Sequence, residues 1–183
     1  AIDIAISENS NLANLNFICC DVFDLKMNKK FDVIVLQGVL EHIDNPFLFL
    51  QKINNSLLKK SGTILCSCPA FHNPRGYIWM TLQILFNVPM SLTDIHFFSI
   101  DDFKRFAIKN NMDINWKSIH HEWGSGDILL LDYKKRLINA LRDANMSNEK
   151  VTNLLAWIKI SNKYFTNTND TGATIVYSLK NKL

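Results

Sequence analysis

A short apolar run, from Phe31 to Leu36, constrains the fold of this chain more than any other feature. The run is nearly continuous and rich in β-branched residues, which favours a parallel strand buried on both faces. Gln37 and Gly38 interrupt it, and ionisable residues follow. Because ligands of open α/β sheets bind outside the carboxyl ends of the strands, we expect a site at this polar corner. Its ionisable residues are Glu41, His42 and Asp44.

A helix is predicted directly after the corner. Pro46 suits a first helical turn and Asn45 suits the capping position before it. Apolar residues then recur at helical spacing from Phe47 to Leu58. Strand, polar corner and helix therefore follow one another, as in an α/β fold.

Composition limits the class of protein. The 183 residues are enough for one domain with a sizeable core, and we expect residues 1–183 to form a single domain. The chain is 48% hydrophobic and 20% charged, which is typical of a soluble globular protein. A dispersed net charge of +3 argues against nucleic acid as a partner. With no signal peptide or bilayer-spanning apolar run in the sequence, we expect a cytoplasmic protein.

The cysteine and histidine patterns predict no metal site. Cys19-Cys20 and the pair Cys66 and Cys68 fall inside predicted buried strands and lack the Cys-x-x-Cys spacing of zinc ligands. We interpret all four as small buried hydrophobic residues. His120, His121 and Glu122 are adjacent, so on a strand they would point to alternate faces and could not bind one ion together.

The remaining segments predict further strands and helices. Gly62 suits a left-handed helix cap, and Pro69 stops the strand that follows it. Ser99 suits the cap of a helix, with Asp101 and Asp102 in its first turn. The predicted strands are Thr63–Cys68, residues 112–121 and residues 173–179, and the predicted helices are residues 77–86, residues 100–110 and two segments within residues 128–165.

The stretch from Phe31 to Pro46 resembles the fourth-strand motif of class I S-adenosylmethionine-dependent methyltransferases. The matching features are an apolar strand beginning Phe-Asp, the sequence Leu-Glu-His-Ile and an Asn-Pro helix start. The other segments occur in the family's order. The resemblance implies a Rossmann-like doubly wound α/β sheet, mostly parallel with an antiparallel last strand. It also implies S-adenosylmethionine as the cofactor and methyl transfer as the reaction.

The resemblance implies donor-binding roles for residues on both sides of the motif. Asp3, flanked by isoleucines in a short β-type segment at residues 2–6, matches the acidic residue that binds the ribose hydroxyls. Asp21 and Val22, after a predicted strand at residues 16–20, match the adenine-binding position. The alternatives are a surface residue for Asp3 and a turn or cap for Asp21. Beside the methionine end of the donor, the resemblance places Gln37, Gly38 and Glu41.

Two histidines are candidate catalytic bases. The stretch Ser91–Ser99 resembles a segment of methyltransferases that act largely on small metabolites, glycans and lipid-linked acceptors. His96 lies in it, and a neutral imidazole there could take a proton from an acceptor hydroxyl. The alternative is a packed histidine that bonds a backbone carbonyl. His42 is the second candidate base.

We expect methyl transfer to oxygen of a small-molecule or sugar acceptor, with a quinone or another lipid-linked molecule as the second choice. Residues 71–98 are expected to form a lid insertion over the acceptor pocket, although added core or a membrane-facing patch fits the same pattern. Residues 128–165 are expected to form a helical insertion that covers the site or makes a homodimer contact.

None of the six glycines forms the family's Gly-x-Gly-x-Gly loop. We therefore expect the family's N-terminal strand and helix to be missing from this chain. Two other classes stay open on the sequence: a catalytically inactive methyltransferase-like scaffold or partner module, and an NAD-dependent oxidoreductase that uses Asp3 on a ribose.

Overall fold

The computed structural model describes residues 2–91 and 93–182. The chain forms two compact units, one up to Lys30 and one from Phe31 onward. The first unit contains one helix, α1 (Ile2–Glu8), followed by turns and irregular chain. None of its described residues lies in a strand.

The two strands predicted in the first unit are therefore wrong. Residues 2–8 are helical and residues 16–20 are irregular, while Ala1 lies outside the described residues. A strand needs a neighbour to pair its backbone groups, whereas a helix pairs them within itself, and no described strand pairs with either segment. Cys19 and Cys20 are consequently exposed and not buried.

The second unit is built on a four-stranded sheet. Its strands are β1 (Phe31–Gln37), β2 (Leu58–Pro69), β3 (Met112–Ile119) and β4 (Thr174–Asn181), in the order β1-β2-β4-β3. β1 is parallel to β2, and β4 is antiparallel to both of its neighbours. The predicted mostly parallel sheet with an antiparallel last strand is confirmed.

β1 lies at the edge of this sheet, which corrects the prediction that it is buried on both faces. Its only partner among the described strands is β2. Leu36 is buried, but Val33 and Val35 are exposed, the latter to 64%. The apolar run identified the strand correctly, while the sequence could not show how many neighbours the strand has.

One part of the core lies against the two central strands, and a second hydrophobic cluster lies among α3 (Pro74–Phe86), α6 (Asp127–Asp143) and α7 (Val151–Ser161). Alternate residues of β2 are buried, including Cys66 and Cys68, as the period of two requires. From β4, Tyr177 points to the helical layer and stacks on Phe103 at 3.8 Å between ring centroids. Phe103 belongs to α4 (Ile100–Lys109), so this helix covers the middle of the sheet.

Gly62 does not cap a helix. β2 already begins at Leu58, and the pairing of β1 with β2 shifts between Phe31 and Val33. A Cβ atom at Gly62 would lie 2.8 Å from the Leu58 side chain. The glycine therefore allows close packing in an irregular strand and is not needed for a left-handed turn.

The helices before and after the sheet strands begin at specific capping residues. α2 (Pro46–Ser56) follows Asn45 as predicted, although the Asn45 side chain makes no capping hydrogen bond. α3 (Pro74–Phe86) begins three residues before the predicted start, because the Asn73 side chain accepts a hydrogen bond from the Gly76 amide at 2.8 Å. Ser99 caps α4 as predicted and forms a capping box with Asp102.

The chain after β3 is mostly helical. β3 ends at Ile119, two residues earlier than predicted, since His120 has a left-handed backbone with φ of 60° and the short helix α5 (His121–Gly124) follows. α6 (Asp127–Asp143) and α7 (Val151–Ser161) confirm the two predicted helical segments. A 3-10 turn, Asn162–Tyr164, precedes β4. Within the described residues, no helix is both long and apolar enough to span a bilayer.

Candidate active site

The carboxyl ends of the three parallel strands meet at one edge of the sheet. Thr174, at the start of β4, pairs with Pro69 at the end of β2 and with Ile119 at the end of β3. At the end of β1, the Gly38 amide donates a hydrogen bond to the Ser67 carbonyl at 3.2 Å. The polar corner predicted from the sequence therefore lies at this edge, where α/β sheets bind ligands.

Gly38 turns the chain at the corner. Its φ of 61° is in the left-handed region, and a 3-10 turn, Leu40–His42, follows. A Cβ atom at Gly38 would lie 3.6 Å from Oε1 of Glu41. The turn thus brings the Glu41 carboxyl group back over the glycine backbone, in a conformation that glycine adopts at little cost.

Glu41 is a buried acid with an incomplete set of partners. It is only 4% exposed, and its Oε2 atom has no hydrogen-bond partner among the described residues. Burial raises the pKa of this carboxyl group, and the nearby Asp94 adds to the rise, while a backbone hydrogen bond and the charge of His42 oppose it without cancelling it. Unpaired buried polar atoms are rare in folded proteins, so this oxygen marks a place where a ligand group could bind.

His42 contacts the segment that follows α3. Its Nδ1 atom lies 2.9 Å from the Thr93 carbonyl oxygen and 3.6 Å from Oδ1 of Asp94. A carbonyl oxygen can only accept, so Nδ1 carries the proton and donates. In the neutral ring, Nε2 is then left as a proton acceptor.

His96 donates from its other ring nitrogen. Its Nε2 atom lies 2.8 Å from the Ile43 carbonyl oxygen and must donate to it, which leaves Nδ1 as the acceptor. The ring also stacks on Phe98. This carbonyl contact is the alternative that the sequence left open, and the role of His96 as a base stays a prediction. Position 92, in the same stretch, lies outside the described residues.

A cavity of about 490 Å³ lies against the same edge of the sheet. Pro69 and Thr174, which pair at this edge, line the cavity, and so does Asp94, which contacts His42. α3 contributes Arg75 and Trp79 to its wall. The other lining residues are Ser91, His120, Trp123, Arg136 and Ala173.

Sequence reasoning missed the arginines and tryptophans of this cavity. Arg75 and Trp79 are one helical turn apart on a mostly apolar helix, and that spacing is the local signal of a functional face. Arg136 lies on α6, about sixty residues further along the chain, so only the fold brings it to Arg75. Gln37, Gly38, Glu41 and His42 were found because they are consecutive in sequence.

The predicted adenosine-binding residues all lie in the first unit. Asp3 is in the first turn of α1 and not at the end of a strand. Oδ1 of Asp21 accepts a hydrogen bond from the Phe23 amide at 2.7 Å, which is the turn geometry given above as its alternative. Val22 is exposed. Their roles toward ribose and adenine stay predictions.

Comparison with known proteins identifies the family of this chain. The model of a methyltransferase-domain family matches residues 1–108, which include the corner and the segment that contacts His42. A search of the curated proteins found no match.

Solved structures share the fold at low identity. Coclaurine N-methyltransferase, bound to N-methylheliamine and S-adenosylhomocysteine, is 18% identical with a TM-score of 0.56, covering 98% of this chain and 57% of that one. The [4+2]-cyclase SpnF is 14% identical with a TM-score of 0.56, covering 99% and 61%. A possible histamine N-methyltransferase of Thermotoga maritima is 12% identical with a TM-score of 0.55, covering 97% and 69%. This chain thus spans 57% of the coclaurine enzyme's length.

The family match covers more than half of the chain. Sheet order, strand directions and the glycine-acid corner agree with the resemblance stated from the sequence. The chain belongs to the methyltransferase-domain family and has the Rossmann-like fold of the class I S-adenosylmethionine-dependent methyltransferases.

Proposed function

We propose that the complete protein transfers a methyl group from S-adenosylmethionine to oxygen of a small-molecule or sugar acceptor. The donor of this family supplies, when bound, an electrophilic methyl group on a sulfonium. The observation that supports the proposal is the corner after β1, where Oε2 of the buried Glu41 has no hydrogen-bond partner in the described part of the chain and the left-handed Gly38 is nearby. The cavity of about 490 Å³ along the same edge would take the acceptor.

The residues of the corner fit the amino-acid end of the donor. That end carries an ammonium group, and an ionised carboxylate with one unpaired oxygen is a suitable acceptor for it. The absence of a side chain at Gly38 leaves its backbone open to close approach. Gln37, Gly38 and Glu41 would hold this end, while Asp3 would bind the ribose and Asp21 with Val22 the adenine.

Methyl transfer to a hydroxyl needs a base, and the two histidines offer different atoms for it. With the hydrogen bonds observed, Nε2 of His42 and Nδ1 of His96 are free to accept a proton. Replacing each in turn by glutamine separates them. The variant that lacks the true base should lose most of its turnover, while its affinity for the methyl donor stays unchanged.

Both insertions contribute to the acceptor cavity. Arg75 and Trp79 of α3 support the role of residues 71–98 as a lid, and Arg136 of α6 supports the role of residues 128–165 as a cover. A quinone or another lipid-linked molecule is the second acceptor class. We place the reaction in the cytoplasm, supported by four free cysteines.

Self-association through α7 is the last part of the proposal. Trp157 and Ile160 expose apolar side chains on this helix. If the helix makes a homodimer contact, Trp157→Lys should shift the protein to the monomer in analytical ultracentrifugation. An unchanged oligomeric state would remove α7 from the contact.

The central experiment is calorimetric titration of S-adenosylhomocysteine into this chain and into the full-length gene product, with NAD as the comparison titrant. We expect S-adenosylhomocysteine and not NAD to bind the full-length product. If neither protein binds S-adenosylhomocysteine, the methyl-transfer proposal fails and an inactive scaffold becomes the better interpretation. Tritium transfer to a panel of sugars, phenols and quinones would then identify the acceptor class.

A further inference from the structure

We infer that the acceptor carries an anionic group, a carboxylate or a phosphate, and that Arg75 and Arg136 bind this group in the cavity at the carboxyl edge of the sheet. The inference rests on the proposed function and specifies its substrate class.

Arg75 carries a buried guanidinium with an unpaired donor in the described part of the chain. The residue is only 8% exposed, and its Nε atom has no hydrogen-bond partner among the described residues. Burial lowers the pKa of Arg75, yet an arginine stays protonated under any ordinary condition. Burying a charge is costly unless partners replace the lost water, and the ion pair with Asp132 at 3.8 Å leaves the hydrogen-bond donors of this side chain open to a further partner.

One carboxylate positions both arginines. Nε of Arg75 lies 3.8 Å from Oδ2 of Asp132, and Nε of Arg136 lies 3.5 Å from Oδ1 of the same residue. The first distance is too long for a hydrogen bond, and Asp132 Oδ2 has no hydrogen-bond partner in the described part of the chain. Two cations facing one anion leave one net positive charge. Their remaining donors match the oxygens of a carboxylate or phosphate.

The aromatic wall of the cavity fixes the same two side chains. The Cζ atoms of Arg75 and Arg136 lie 4.7 and 5.4 Å from the ring centroid of Trp79. Stacking on an indole limits where each guanidinium can move. Trp79 and Trp123 both line the cavity, so the uncharged part of the acceptor would lie against aromatic surface.

Asp94 and His120 are the other titratable groups that line the cavity, and the negative charge of Asp94 also acts on Arg75. Asp94 is the only carboxylate among the residues that line it, and it lies 3.6 Å from His42 at the corner side. His120 contacts the Thr174 hydroxyl at 3.2 Å. The Tyr133 hydroxyl donates a hydrogen bond to the Arg75 carbonyl oxygen, which fixes the backbone that carries the guanidinium.

The test uses phenyl phosphate, benzoate and the neutral benzyl alcohol as probes, titrated into the full-length gene product and followed by calorimetry. We expect at least one anionic probe to bind about tenfold or more tightly than benzyl alcohol. Arg136→Gln should weaken that binding by about tenfold or more. Arg142→Gln is the matched control, because Arg142 lies on the same helix, is exposed and pairs with Asp143.

Arg75→Lys is the second variant, since it keeps the charge but loses the planar guanidinium. We expect it to weaken binding of the preferred probe by less than Arg136→Gln does. Near-ultraviolet circular dichroism checks that each variant is folded. Equal binding of neutral and anionic probes, or unchanged binding to Arg136→Gln, would overturn the inference. Normal titration of S-adenosylhomocysteine in that case leaves the methyltransferase proposal standing. Arginine-dependent anion binding without any S-adenosylhomocysteine binding would overturn the assignment of this anion to a methyl acceptor.

Discussion

Glu41 occupies a position that lowers the stability of the fold at neutral pH. Burial raises the pKa of its carboxyl group, so the folded state holds the proton more tightly than the unfolded state does. The resulting stability is fully present below the ordinary pKa of 4.5 and is lost as pH rises through the raised value. At neutral pH the ionised group is therefore a net cost, which is typical of a residue kept for binding.

Glu41→Gln should separate stability from function. Because the variant cannot ionise, we expect a larger free energy of unfolding at neutral pH, with the difference shrinking as the pH falls through the raised pKa and vanishing below 4.5. The same change should weaken S-adenosylhomocysteine binding by about tenfold, through loss of a charged hydrogen bond. Urea unfolding and calorimetry measure the two effects. Glu149→Gln, at an exposed position, is the control, and unchanged donor affinity in Glu41→Gln would remove Glu41 from the donor site.

Gly38→Ala tests the left-handed turn of the corner. A Cβ atom would meet Glu41 Oε1 only at an ordinary 3.6 Å, so the cost lies in the backbone φ of 61°. We expect a loss of about 1 kcal/mol in the free energy of unfolding. Asn145→Gly, at an exposed φ of 57°, should be neutral or stabilising by comparison. Equal stability of Gly38→Ala and the parent chain would show that the turn relaxes.

The residues of the site were predictable only where they are neighbours in sequence. The corner from Gln37 to His42 combines a strand end, a glycine and two ionisable groups, and each has a local signature. The cluster of Arg75, Asp132 and Arg136 forms only when α3 packs against α6. No local pattern predicts such a cluster, since each member taken alone is an ordinary charged residue on a helix.

At the scale of elements, the capping box of α4 is the clearest agreement between sequence and structure. Ser99 Oγ accepts from the Asp102 amide at 3.3 Å, and Asp102 Oδ2 accepts from the Ser99 amide at 2.8 Å. Burial alone would raise the pKa of Asp102, but hydrogen bonds from Ser99 and the charge of Arg105 outweigh it and lower the pKa. The contribution of Asp102 is thus present above its ordinary pKa of 3.8 and is lost as pH falls through the lowered value.

Ser99→Ala should lower the free energy of unfolding by about 1 kcal/mol at neutral pH. Asp102→Asn should also destabilise the protein at neutral pH, and its difference from the parent chain should shrink once the pH falls below 3.8. Thermal unfolding across pH measures both. Asp101→Asn removes an exposed charge from the same helical turn without breaking the box, so an equal effect there would assign the loss to charge and not to capping.

Strands with a strong alternation and a pairing strand beside them, and helices with a cap in the sequence, were predicted well. Segments whose structure depends on packing, or on a pairing strand that the described residues do not supply, were not. β2 and β4 combine apolar alternation with neighbours on both sides, and α4 has its cap in the sequence. Residues 2–6 show the same short alternation, but no described strand pairs with them and they form a helix. Gly62 has the composition of a helix cap, yet packing against Leu58 decides its role.

At the scale of the whole molecule, the four cysteines report on the two units separately. All four are free, with Cys19 and Cys20 exposed in the first unit and Cys66 and Cys68 buried in the second. Burial raises the pKa of Cys66 to about 12 and that of Cys68 as well. Only a thiolate attacks a disulfide reagent, so buried thiols with raised pKa values should stay inert until the sheet unfolds.

Labelling with a disulfide reagent should therefore proceed in two phases. We expect Cys19 and Cys20 to react at once in the native protein, and Cys66 and Cys68 to react at the rate of unfolding, with mass spectrometry assigning each site. A Cys19→Ser and Cys20→Ser double variant should lose the fast phase alone. Protection of Cys19 and Cys20 would instead mean that residues 16–20 form the buried strand predicted from the sequence, and Asp21 would then follow a strand as the family's adenine-binding acid does.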